Sequence, residues 1–160
     1  MKYFTSIALI VVLLLTSTPI TTYAHSTSTT PTVTYYEIKY ISDDYYVETI
    51  IEEYSITTYS STSTVKGAKT DNIRNSNNDI IATFKITGTF TYDGSTAQCT
   101  AASHSSTIND SAWAFTFKSA NRLTNRAIGQ YAMQCTQYGT VVQTISDTVT
   151  LTCSPNGTLS

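Results

Sequence analysis

From Val33 onward the chain alternates polar and apolar positions with a period of two, and the alternation is broken mainly by glycine, asparagine and aspartate. The stretch "IIATFKITGTFTY" carries Ile80, Ala82, Phe84, Ile86, Phe90 and Tyr92 at even positions, and Thr83, Lys85, Thr87, Thr89 and Thr91 at odd ones. That pattern predicts a strand with one buried face. Asp93-Gly94 then predicts a hairpin. A two-residue type I′ turn needs positive φ at both central positions, and Asp-Gly supplies it. Such a turn sets Tyr92 opposite Ser95, Phe90 opposite Ala97 and Gly88 opposite Cys99. Cys99 then points inward, and Gly88 leaves room beside it for a sulfur partner.

The same rule carries through the rest of the chain. "WAFTF" places Trp113, Phe115 and Phe117 on one face, with Trp113 in the core, and "NRLTN" makes a polar turn. "AIGQYAMQC" leads to a turn at Tyr138-Gly139-Thr140. "VVQTISDTVTLTC" returns with Ile145, Val149, Leu151 and Cys153 on one face. A three-residue turn at Gly139 brings Met133 opposite Ile145 and Cys135 inward, whereas a two-residue turn sends Cys135 to the other face. Parity leaves both open. "VETIIEEY" (Val47 to Tyr54) could form a short helix, but its β-branched content and strand-like neighbours favour a strand. Seven to nine short strands with frequent turns predict an all-β protein, an antiparallel β-sandwich of immunoglobulin-like type, over residues 33–160.

The N-terminus reads differently. Lys2, the apolar run Ile7 to Leu15, Pro19 and the small residue closing "TTYA" together predict a secretory signal peptide cleaved near Ala24. The nine-residue apolar run is short for a membrane span of about 20 residues. Residues 25–32, "HSTSTTPT", read as a flexible Ser/Thr-rich leader. The expected product is secreted, with no membrane span once the signal is removed.

Composition narrows the partners. Without residues 1–24 the chain keeps eight basic residues against eleven acidic, a charge of −3. This disfavours nucleic acid, whose phosphates call for a basic surplus. Residues 33–65 hold Glu37, Asp43, Asp44, Glu48, Glu52 and Glu53 against Lys39, whereas residues 66–126 hold seven Lys or Arg against four acids. One group of strands complementing another accounts for this asymmetry; a polar binding face is the sharper reading.

Residues 66–160 also resemble a family. "GTFTYDG", the Cys-Thr at 99–100, "SAW" and "TVTLTCSPNG" are similar in arrangement to small exported proteins of low-GC Gram-positive bacteria, common in gut clostridia. The resemblance implies export and a β fold and carries no activity, the family being uncharacterised in function. In that family the cysteines at the positions of Cys99 and Cys153 are the regular pair. The expected disulfide is therefore Cys99–Cys153, closing a loop of about 55 residues worth roughly 4 kcal/mol, with Cys135 as the free thiol. A bridge through Cys135 is the alternative.

Catalytic chemistry finds little support. His104 is the one histidine outside the leader and its neighbours Ser103 and Ser105 point to the opposite face, so no Ser/His pair forms. Asp43-Asp44 reads as a turn, and Glu48 or Glu52 meeting Glu37 across strands is the one glycosidase-like possibility. "DNIRNSNND" spaces Asn75, Asn77 and Asp79 like a calcium loop, but Ile80 and Ile86 replace the glycine and closing glutamate, so a turn is expected. No cofactor and no metal are expected. The most suggestive feature is a crowd of tyrosines: Tyr35, Tyr36, Tyr40, Tyr45, Tyr46, Tyr54 and Tyr59. Consecutive tyrosines on a strand must face opposite ways, leaving about half outside as a possible binding face. The expected function is non-enzymatic: an extracellular binding or surface-interaction module for a cell-surface glycan or another extracellular protein. The alternative is a small secreted effector acting on another protein as inhibitor, immunity factor or bacteriocin-like product.

Overall fold

The computed structural model describes residues 30–56 and 62–160; the signal segment 1–24, most of the leader and Tyr59 lie outside the described residues. Among the described residues eight antiparallel strands form two sheets. β1 (Thr32–Tyr40), β2 (Tyr45–Ile56), β3 (Ser63–Asn75), β4 (Ile80–Tyr92) and β5 (Ala97–Ile108) make a five-stranded sheet in that order. β6 (Trp113–Leu123), β7 (Arg126–Gln137) and β8 (Thr140–Thr152) make a three-stranded one. The expected antiparallel sandwich is present, and "VETIIEEY" is strand β2. Both sheets are meanders with sequential strand order. The expected immunoglobulin-like type is not seen, because an immunoglobulin fold has Greek-key connections and these sheets do not.

The parity of β4 is realised: Ala82, Phe84, Ile86 and Phe90 are fully buried. They face Ala127, Tyr131 and Met133 of β7 and Val149 and Leu151 of β8 in one shared core. Phe84 lies 4.9 Å from the Tyr131 ring. Burying each such side chain contributes roughly 1.5–3 kcal/mol. Two glycines let the sheets approach closely. A Cβ on Gly129 would meet the Phe84 ring of the opposite sheet at 2.7 Å, and one on Gly88 the Ala127 Cβ of the opposite sheet at 3.0 Å as well as the Phe90 ring of its own strand at 2.6 Å. β6 lies over β5, β7 over β4 and β8 over β3 and β4. The backbones of β1 and β2 therefore project past the free edge of β8, and that overhang positions both candidate sites.

Several registers differ from expectation. The Asp93-Gly94 loop has four residues, Asp93 to Thr96, because the Asp93 carboxylate accepts from the backbone N–H of Ser95 (2.9 Å) and Thr96 (2.7 Å). Tyr92 consequently pairs with Ala97, and after a bulge at Thr89/Phe90 Cys99 pairs with Phe90 and Gly88 with Ala102. Gly88 makes room for the Phe90 ring, not for a sulfur. Phe117 is 52% exposed, since a bulge between Phe115 and Phe117 turns it off the face that Trp113 and Phe115 share. At the last hairpin, Tyr138 and Gly139 both take positive φ and form a two-residue turn. A bulge at Cys135/Thr136 then restores the pairing of Met133 with Ile145 and keeps Cys135 inside.

Candidate functional site

The tyrosines divide between two faces. On the outer face of the five-stranded sheet, cross-strand pairing sets Tyr40 beside Tyr46 and Arg74, Ile38 beside Glu48 and Asn72, and Tyr36 beside Ile50 and Thr70. Tyr54 follows two residues beyond Glu52 on the same face. Tyr36 and Tyr40 are well exposed at 57% and 77%, and the Tyr40 and Tyr46 rings lie 5.8 Å apart. Tyr35 and Tyr45 face inward. Tyr35 donates to Glu37 (2.7 Å) beneath the Lys69 ammonium, and Tyr45 packs edge-on against buried Trp113.

The acids of the first strands and the bases of the next ones hold this outer face in shape. One oxygen of Glu48 accepts from Arg74 Nε (3.0 Å), Arg74 Nη2 (2.7 Å) and Asn72 Nδ2 (3.1 Å). Tyr36 also hydrogen-bonds Glu48. Partial burial alone would raise the Glu48 carboxyl, but these donors hold it below the ordinary value. Glu52 accepts from Lys85 (2.9 Å) and Tyr54 (3.0 Å), and the Lys85 bond leads in holding it low. Tyr46 donates to Asn78. The arrangement presents phenol rings, hydroxyls and amides across a firmly braced polar surface.

The inward side of the overhang forms a cleft of about 240 Å³ lined by Glu37, Lys39, Thr49, Lys69, Asp71 and Asp147, among others. Asp71 sits at its floor, 3% exposed. Its two oxygens accept from Thr49 Oγ1 (2.8 Å) and Tyr131 OH (3.3 Å), so the carboxylate ties β2 and β3 to the opposite sheet. Burial, with the charge of Asp147 adding, pushes its pKa up to about 6, against the pull of the two hydroxyls and Lys69. Lys39 reaches from β1 to Asp147 on β8 at 2.8 Å across the mouth. Asp71 escaped the sequence reading, although Val65, Gly67, Lys69, Asp71 and Ile73 share a parity whose ends are plainly apolar.

The expected Cys99–Cys153 bridge is not present: Cys99, Cys135 and Cys153 are all free and buried. Cys99 Sγ donates to Ala101 O and Cys153 Sγ to Ser154 O, each at 3.3 Å. The backbone N–H of Cys99 binds the carbonyl of Thr124 and that of Cys153 the carbonyl of Asn125, so one turn holds both segments. Burial raises both, Cys153 to about 11 with the charge of Glu53, and then Cys99, adding. Glu37 lies on the inner face and Glu48 and Glu52 on the outer one, so no cross-strand carboxylate pair forms. Asn75 Oδ1 accepts from the N–H of Asn77 and Asp79, which makes the 75–79 segment the expected turn. Exposed His104 stacks on Phe84, while Ser103 and Ser105 pair on the outer face. Among the described residues no group of three or more His, Cys, Asp or Glu could hold a metal, and no helix is long and apolar enough to cross a membrane.

Fold and site together define an all-β, two-sheet sandwich with a tyrosine-bearing outer face and a polar cleft beneath its overhang. Comparison of the chain with family models, curated proteins and solved structures returned no match.

Proposed function

We propose that the protein is a secreted, non-enzymatic binding module whose contact surface is the outer face of the five-stranded sheet. One observation carries this reading: Tyr36, Tyr40, Tyr46 and Tyr54 share a single braced polar face. Phenol rings offer flat apolar area with a polar tip at low entropic cost, which suits a sugar ring or an extended peptide. The apolar N-terminal run and the likeness to small exported proteins support an extracellular setting, where a cell-surface glycan or another extracellular protein is the partner. Binding of the protein to cell-wall glycans and to secreted proteins tests this. Tyr36→Ala and Tyr40→Ala, both exposed, should each weaken binding about tenfold or more, as truncated aromatic anchors do, with an unchanged melting temperature. Saturable binding that ignores both substitutions would overturn the choice of face.

Export also bears on the cysteines. In an oxidising compartment Cys99 and Cys153, whose backbones bind the two residues of one turn, pass two electrons and two protons to a thiol–disulfide oxidant and close as a bridge, leaving Cys135 reduced. Mass spectrometry of a non-reduced digest of the exported protein should find the 99–153 crosslink. A crosslink through Cys135, or three free thiols, would refute it.

A further inference from the structure

We infer that the free edge of β1 pairs with β1 of a second copy, joining two five-stranded sheets into one. The inference rests on the edge itself and is independent of what the outer face binds.

Among the described residues β1 pairs with β2 alone, and all nine of its residues are exposed. Five of them are large apolar or aromatic side chains: Val33, Tyr35, Tyr36, Ile38 and Tyr40. A long exposed edge with unpaired N–H and C=O groups is a template for another strand unless charge, proline or cover blunts it. The opposite edge of the sheet is blunted. β5 carries small and polar residues and packs against β6. β1 has no proline, and its one lysine, Lys39, is matched by Glu37 on the same strand and face, so the edge presents no single-sign charge.

Charge selects the partner and the register. A two-fold axis perpendicular to the sheet keeps inner residues inner, so the opposed positions must sum to an even number. Centred on Glu37 the pairing sets glutamate against glutamate, and centred on Lys39 it sets lysine against lysine. Centred on Ile38 it sets Glu37 opposite Lys39 of the second copy, twice, on the inner face. On the outer face it sets Tyr36 opposite Tyr40 and Ile38 opposite itself. Opposite charges directly across strands stabilise and like charges destabilise. The Ile38-centred register also gathers the exposed tyrosines of both copies about one axis. A second copy therefore fits this edge by sequence as well as by hydrogen bonding.

Sedimentation velocity of the isolated protein over a range of concentrations tests the inference, with a melting curve for each variant. The wild type should show a concentration-dependent dimer. Glu37→Lys or Lys39→Glu alone sets like charges across the axis twice and should weaken the dimer about tenfold or more. Mixing the two variants sets lysine against glutamate at both positions and should restore a dimer that neither forms alone. Should Lys39→Glu not fold, Ile38→Lys places two ammonium groups face to face and should weaken the dimer similarly. A wild type that stays monomeric throughout overturns the inference, as it would if the segment before Thr30 covered its own edge. A dimer unmoved by Glu37→Lys, or a mixture that stays monomeric, overturns it too.

Discussion

Asp71 is a carboxylate held where water barely reaches, and its titration is a handle on the whole fold. Its folded pKa of about 6 stands above the ordinary 3.8, chiefly through burial. A raised folded value means that the protonated form is favoured by folding. The contribution is fully present below about pH 4 and is lost as pH rises through about 6. Two units correspond to roughly 3 kcal/mol of cost carried by the ionised group at neutral pH. Glu48, Glu52 and Asp93 are held below their ordinary values, so their losses begin only at lower pH. Between pH 7.5 and 5, acidification should therefore raise the melting temperature by several degrees. Asp71→Asn should flatten that slope and raise the melting point at pH 7.5. A wild type with a flat profile, or an Asp71→Asn variant with the same slope as the wild type, would show that Asp71 does not govern the window.

At the level of elements, side-chain parity was legible and register was not. The alternation of β4 and β8 marked Phe84, Ile86, Phe90, Val149, Leu151 and Cys153 as buried, and each is. The division of consecutive tyrosines between two faces also follows from period two alone, and it yields the outer-face set. What parity cannot carry is the single extra residue of a bulge, whose place is fixed by the twist that two packed sheets demand. Among the described residues five register shifts occur, at Val33/Tyr35, Ile73/Arg74, Thr89/Phe90, Phe115/Phe117 and Cys135/Thr136. The one at Phe115/Phe117 sends Phe117 to solvent. The one at Cys135/Thr136 lets a two-residue turn deliver the inward Cys135 that a longer turn would also have given. Asp93-Gly94 shows the complementary limit. The dipeptide announces a turn, but the Asp93 side chain, by capping two N–H groups, sets its length.

For the molecule as a whole, the decisive asymmetry is five strands against three. Three strands cover only part of the wider sheet, so β3, β4 and β5 are packed face to face against β8, β7 and β6 while β1 is held by β2 and a few side chains. Stability should then fall from the centre toward β1, because local opening there exposes little buried apolar area. The Lys39–Asp147 pair is the ionic tie from β1 to the other sheet, with the lysine 61% and the aspartate 26% exposed. Exposed pairs of this kind contribute about 0–1 kcal/mol, enough to alter local opening and too little to alter global unfolding. Hydrogen exchange on dilute protein, where β1 has no second copy to pair with, should find β1 amides exchanging far faster than those of β4 and β7. Lys39→Met, which keeps the aliphatic stem, should speed β1 exchange up to about fivefold, the factor that 1 kcal/mol allows, while leaving β4 and β7 rates unchanged. Raising the concentration should slow β1 alone in the wild type, since pairing covers that edge and no other. Equal protection across β1 and β4 at high dilution would mean that something within the chain already covers the edge. The overhang would then be a closed surface, and neither the cleft nor β1 would be open to a partner.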